Sequence, residues 1–331
     1  MFLKGKNILF FSASLFGYQD EIRKGLCRAG ASVDYYDERP ANTFLVKALI
    51  RINRNLLAGY VDRYYNRIIK QTCKTNYDYI FFTKGESVSV KNICKLKQLH
   101  PQAIFMIYHW DSIANNHNAQ RLLPCFDRIF SFDKVDCKNL KLRFLPLFYI
   151  PDYGDIPKSK SEIKYDVLFV GTTHSDRYQF VKKVEKQVAE LGGKCFTWFY
   201  FPSKILYYKM KLQNKYLRNI PACKFHFKSM DKTVLLELCA QSKIIIDIQH
   251  PKQTGLTMRC IETLGAKRKL ITTNQAILEY DFYDENNILI VNREAPEIPI
   301  EFFSKPYQEI SSEIYEKYSL DNWIYTIFSN P

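Results

Sequence analysis

"NILFFSASLFGYQDEIRKGLCRAGASVDYYD", residues 7–37, sets the fold class. Its opening, "NILFFSA" (7–13), is a short apolar run bounded by polar residues and reads as a buried strand. "YQDEIRKGLCRAG" follows as a helix, with Ile22, Leu26 and Ala29 at helical spacing and a stop at Gly30. "ASVDYYD" is then a second strand, which completes a βαβ opening. The alternation continues through strands predicted at "YDYIFFTK" (77–84), "AIFMIYHWD" (103–111), "RIFSFD" (128–133) and "LRFLPLFY" (142–149). Such a pattern implies an α/β architecture with mainly parallel sheets.

"PDYGDIPKSKSEIKYD" (151–166) is rich in Pro, Gly, Ser and charge, the composition of an interdomain linker. A second series starts there: strand "YDVLFVG" (165–171), helix "DRYQFVKKVEKQVAELGG", strand "KCFTWFYF", helix "DKTVLLELCAQ" and strand "KIIIDIQ" (243–249). The helix of "TGLTMRCIETLGAKRKLITTN" (254–274) and strands "KLITTN" and "NNILIV" complete it. The expected domains are residues 1–150, a linker 151–164, a second αβ domain 165–305, and a helical segment 306–331 that packs back on the first domain.

The 331 residues are 47% hydrophobic and 25% charged, which supports two globular domains and excludes disorder as the main theme. Nine cysteines without C-x-x-C pairs imply reduced thiols rather than a disulfide framework. With neither a signal-peptide pattern nor a spanning apolar run, the expected location is cytoplasmic. The net charge of +14 is uneven: residues 1–150 carry 23 basic and 12 acidic side chains, residues 151–331 carry 25 and 22. A basic surface can attract nucleic acid, anionic lipid or phosphorylated small molecules.

In open α/β sheets ligands bind beyond the carboxyl ends of the strands, which singles out four places. In "VGTTHSDR", Gly171 ends a strand and Thr172, Thr173, His174 and Arg177 lead into a helix whose free amides favour phosphate; a plain turn is the competing reading. In 254–274, Gly255, Leu256 and Thr257 open a helix on which Arg259 and Glu262 are neighbours. The pair is either a surface ion pair or a grip on a ligand, the arginine on a diphosphate and the carboxylate on ribose hydroxyls. In "YHWDS", Asp111 is a candidate general base and His109 a competing one, although either could cap a turn. Asp133 and Asp136 read as turn residues. In "SASLFGY", Ser12, Ser14 and Gly17 could line a cleft, but the glycines are too few for a dinucleotide fingerprint. No metal-ligand spacing, P-loop or nucleophile elbow occurs, so neither metal nor cofactor is expected.

These residues, above all "GLTMRCIETLGAKRKLITTN" and "VGTTHSDR", resemble the nucleotide-sugar-binding half of GT-B-fold glycosyltransferases. "YHWDSI" with "FDRIFSFDKVDCKNLKLRFLPLFYIP" is similar to bacterial CgeB-like and lipopolysaccharide-core or capsule-biosynthesis transferases. The resemblance implies two Rossmann-like αβ domains facing a cleft, with a nucleotide-diphosphate sugar held by the second domain. It implies a glycan or lipid-linked acceptor entering from the first domain, in surface-polysaccharide biosynthesis. Glu262 would hold the ribose, Arg259 and the amides near Gly255 and Leu256 the diphosphate, and the Gly171 loop would close over it. Many retaining relatives carry a glutamate where this chain has Thr254, so a metal-independent inverting displacement with Asp111 as base is preferred.

"FLVKALIRINRNLLAGYVDRYYNRIIKQ" (44–71) interleaves leucines and isoleucines at helical spacing with Lys47, Arg51, Arg54, Arg63 and Arg67. It is either a basic amphipathic helix on an anionic membrane, making the protein peripheral on the inner face, or a core-packed helix with a solvated basic face. "KILYYKMKLQNKYLRNIPACKFHFK" (204–228) allows the same choice. The rival functions are a sugar-nucleotide 2-epimerase of the same shape and a non-enzymatic nucleic-acid-binding protein. No recognised nucleic-acid motif is present, and no nucleic acid is expected as a partner.

Overall fold

The computed structural model describes residues 1–14, 16–43, 54–113, 117–159, 161–173, 176–215, 217–250 and 254–329. The chain forms two compact units, one of Met1–Leu147 with Leu320–Pro331 and one of Phe148–Ser319.

The first unit holds six parallel strands: β1 (Asn7–Ser12), β2 (Ser32–Asp37), β3 (Tyr79–Thr83), β4 (Ile104–His109), β5 (Arg128–Ser131) and β6 (Arg143–Phe144), in the order β2-β1-β3-β4-β5-β6. Both faces are covered, so the central strands are continuous apolar runs without alternation. On one face Leu9, Phe11, Ile80, Phe82, Phe105 and Ile107 pack with Val61, Tyr65 and Ile68 of the helix Ala58–Thr72. On the other, Phe81 and Tyr108 meet Trp323 of the helix Leu320–Ser329, with ring centroids 6.0 and 4.8 Å apart. That helix also lies on Tyr18–Arg28, where a Cβ on Gly25 would sit 2.5 Å from Ile324 Cδ1.

The second unit repeats the plan with β7 (Tyr165–Thr172), β8 (Cys195–Tyr200), β9 (Ser242–Asp247), β10 (Lys269–Thr272) and β11 (Ile288–Ile290), all parallel in the order β11-β10-β9-β7-β8. Its core joins Val167, Phe169, Ile244, Ile246 and Ile271 to Val181, Val184 and Val188 of the helix Arg177–Glu190.

Two segments differ from the expectation, and the described part of a third, 44–71, takes one of the two readings left open for it. The predicted strand 142–149 pairs only over Arg143–Phe144, because Pro146 has no amide to give to a ladder. Pro151–Asp155, read from composition as linker, is a helical turn with proline at its start and Tyr153 buried. In 44–71 the described part is a short 3-10 turn from Arg54 and the helix Ala58–Thr72. The apolar face of that helix lies in the core, which leaves Arg63 and Arg67 exposed on a solvated basic face. Lys47 and Arg51 lie outside the described residues. Among the described residues no helix is long and apolar enough to cross a membrane.

Candidate functional site

In the second unit the chain leaves β7 towards β8 on one side and returns as β9 on the other. The carboxyl ends of β7 and β9 therefore flank the point where strand order reverses, where ligands bind in such sheets. Arg177, one residue into its helix, spans this point. Its Nη1 donates to the Thr172 carbonyl at 3.0 Å and the Thr172 hydroxyl at 3.3 Å, and its Nη2 donates to the Ile248 carbonyl. Burial pushes the guanidinium down to about 10, opposed by Asp247 and assisted by the positive charges of Arg293 and Arg259. It stays a cation at neutral pH, with two further arginines bearing on it electrostatically.

Gly171 stands behind Arg177, and a Cβ there would meet the Phe169 ring at 3.1 Å. Thr173 is buried; its amide donates to the Tyr200 carbonyl at 2.8 Å, and its hydroxyl has no hydrogen-bond partner among the described residues. His174 lies outside the described residues. Asp176, just before the helix, receives a two-pronged pair from Arg293 at 2.8 and 2.7 Å, and Arg293 Nη1 donates to the Gln249 carbonyl at 3.0 Å.

From the side of β9, Asp247 is buried at the strand end and accepts from Cys260 Sγ at 3.3 Å. Burial raises its carboxyl above the usual range, against the opposing pull of Arg177 and hydrogen bonds from Thr257 and Cys260. The helix Met258–Gly265 begins here. Thr257 caps it, its Oγ1 accepting from the Cys260 amide, and Leu256 is buried. Asn274, after β10, pins the entry loop by donating to the Gly255 carbonyl at 3.1 Å. Arg259 Nη1 lies 2.9 Å from Glu262 Oε2, with side chains only 19% and 9% exposed. The pair is thus sheltered, and Tyr153 completes it: burial, with a hydrogen bond to Glu262 assisting, raises its phenol well above the usual value.

Arg177, Arg259 and Arg293 with a helix start can neutralise a compact polyanion, while Glu262 offers a carboxylate to hydroxyls. Asp247, Asp176, Arg293 and Tyr153 are not among the residues singled out by sequence. Arg293 and Asp247 carried one available signal, since each sits at or just beyond a strand's carboxyl end.

In the first unit strand order reverses between β1 and β3. Ser12 is wholly buried there and its hydroxyl accepts from Thr83 at 2.7 Å, so it joins two strands. The Ser14 amide donates to Asp37, and Gly17, at φ 82°, turns the chain into the helix Tyr18–Arg28. Asp111 follows β4 with its side chain 43% exposed and Oδ2 3.1 Å from Lys84 Nζ. Lys84 has φ 86° and lies within a loop tied down by carboxylates. Glu38 accepts from the amides of Gly85 and Glu86 at 3.2 and 3.0 Å, and Arg39 pairs with Glu86. His109 is 1% exposed, and burial pushes its imidazole down to about 4, so it is a neutral interior group at pH 7. Asp133 caps the helix Lys134–Leu140, and Asp136 accepts from the Ile113 amide at 2.6 Å. Among the described residues no group of three or more His, Cys, Asp or Glu could hold a metal ion, and the nine cysteines are free thiols.

No protein-family model matches the sequence, and no curated protein sequence matches it. Solved structures do match in fold. Anabaena Alr3699/HepE in complex with UDP and glucose is 10% identical over 98% of each chain, with a TM-score of 0.57. The N-terminal domain of Candida albicans trehalose-6-phosphate phosphatase is 12% identical over 98% of this chain and 96% of its own, at 0.56. UDP-GlcNAc 2-epimerase from Methanocaldococcus jannaschii is 9% identical over 98% and 99%, at 0.53. At such identities the likeness is one of fold: two parallel α/β sheets of the GT-B architecture.

Proposed function

We propose that this chain is a glycosyltransferase that moves a sugar from a nucleotide-diphosphate donor to a glycan or lipid-linked acceptor, in the manner of bacterial surface-polysaccharide enzymes. The observation that carries the reading is the convergence of Arg177, Arg259 and Arg293 on the switch point of β7 and β9, beside the sheltered Glu262. The arginines and the amides at Gly255 and Leu256 hold the diphosphate; Glu262, steadied by Tyr153, accepts from the ribose hydroxyls. A solved neighbour of the same fold is in complex with UDP and glucose, which supports a nucleotide sugar as the donor class.

Asp111 is the proposed base. A carboxylate with nearly half its side chain open to solvent can take the proton of an attacking hydroxyl, with Lys84 steadying its charge. Thr254, in place of the glutamate of many retaining relatives, favours inversion. Titration calorimetry with UDP, ADP, dTDP, GDP and CMP tests the donor site, and Glu262→Gln should weaken the preferred nucleotide about 10- to 100-fold. Asp111→Asn should abolish transfer and leave that affinity unchanged; near-normal turnover removes Asp111 from the mechanism. The fold shared with the 2-epimerase supports a second reading. A nucleotide sugar incubated alone yields an epimer if that reading holds, and stays unchanged without an acceptor if the first one does.

A further inference from the structure

The second unit carries a surface that the donor site does not use. The helix Lys204–Gln213 follows the edge strand β8 and is capped by Ser203, whose hydroxyl accepts from the Leu206 amide at 3.1 Å. It is fastened by one side: Tyr207 is wholly buried against Phe201 and Phe225 and donates to the Ile220 carbonyl at 2.6 Å. Its outer side is apolar. Ile205, Tyr208 and Leu212, one and two turns apart, are 83%, 57% and 82% exposed. Soluble surfaces show single exposed leucines often, but three large apolar side chains in one helical stripe form a patch.

Charge says what fits that patch. On the helical wheel Lys204 and Lys209, both exposed, flank the stripe on either side. Residues 191–230 contain eight Lys and Arg and no Asp or Glu. A protein-binding groove of mixed character would carry both signs; an apolar stripe with an interfacial tyrosine, flanked by lysines in an acid-free basic segment, matches an anionic lipid surface. We infer that the helix Lys204–Gln213 lies on an anionic membrane, inserting Ile205, Tyr208 and Leu212 among the acyl chains while Lys204, Lys209 and the basic segment after them meet the headgroups. The helix Ala58–Thr72 shows no such stripe, because Val61, Tyr65 and Ile68 lie in the core and Tyr60 is its one exposed large apolar side chain.

Flotation of the full chain with vesicles tests this independently of any turnover. Binding should be at least about tenfold stronger to phosphatidylcholine with about a third phosphatidylglycerol than to phosphatidylcholine alone, and should weaken as salt rises. Ile205→Ser with Leu212→Ser should lower it about tenfold or more, and Lys204→Gln with Lys209→Gln should lower it chiefly at low salt. These side chains are exposed, so the melting temperatures should match the parent's. Arg63→Gln with Arg67→Gln should leave binding unchanged. Three results overturn the assignment: no preference for anionic vesicles, binding that survives the Ile205 and Leu212 changes, or a lipid-free dimer that those changes dissociate.

Discussion

Glu38 shows how much a single buried side chain can govern. Burial, with the Glu86 carboxylate adding to it, raises its carboxyl to about 8, against the Gly85 and Glu86 amides and the Lys84 ammonium. Below the ordinary carboxylate range both folded and unfolded chains hold the proton. Between that range and about 8 only the folded chain does, so stability falls as pH rises through this window. Urea unfolding at about pH 5.5 and about pH 8.5 should show the parent losing on the order of 2–3 kcal/mol more than Glu38→Gln. Parallel profiles for the two proteins would reject the assignment. The residue is not legible in "YYDERP", where a glutamate beside an arginine reads as surface charge. Only the fold brings Glu38 under the 84–87 loop.

At the scale of elements, Met258–Gly265 carries Arg259 and Glu262 of the proposed donor site. Its end is held closely: a Cβ on Gly265 would sit 2.5 and 2.7 Å from Tyr149 Cγ and Cβ, and the Tyr315 hydroxyl donates to the Gly265 carbonyl at 2.6 Å. The atoms it would strike are the root of a ring, which cannot swing aside as a side-chain tip would. Gly265→Ala should therefore destabilise by about 1–3 kcal/mol in chemical denaturation, despite alanine's better helix propensity. A neutral or stabilising result would show that Tyr149 yields freely. The strands of both sheets were readable because parallel strands covered on both faces appear as unbroken apolar runs. The turn Pro151–Asp155 was not, since a helical segment of five residues is too short to show a period, and Tyr153 gains its role only by meeting Glu262.

For the whole molecule, the last helix belongs to the unit the chain began with. Trp323 is 1% exposed between Phe81 and Tyr108. Trp323→Ala should cost about 3–5 kcal/mol, and hydrogen exchange should quicken in β3 and β4 while β7 and β9 keep their protection. Loss of protection across both sheets alike would contradict the division into units.

The sequence by itself determined the α/β class, nearly every strand and the Arg259–Glu262 neighbourhood, because these rest on short-range periodicity and spacing along one helix. Only the tertiary structure decided what surrounds that pair. Asp176 and Arg293 are 117 residues apart in the chain, and Arg177 reaches Ile248 across 71. Strand order makes such residues neighbours, and strand order is set by how the strands pair, which no local pattern encodes. The same holds for the two basic stretches. Both read as amphipathic, and packing turns the apolar side of Ala58–Thr72 inward while it leaves Ile205, Tyr208 and Leu212 of Lys204–Gln213 exposed.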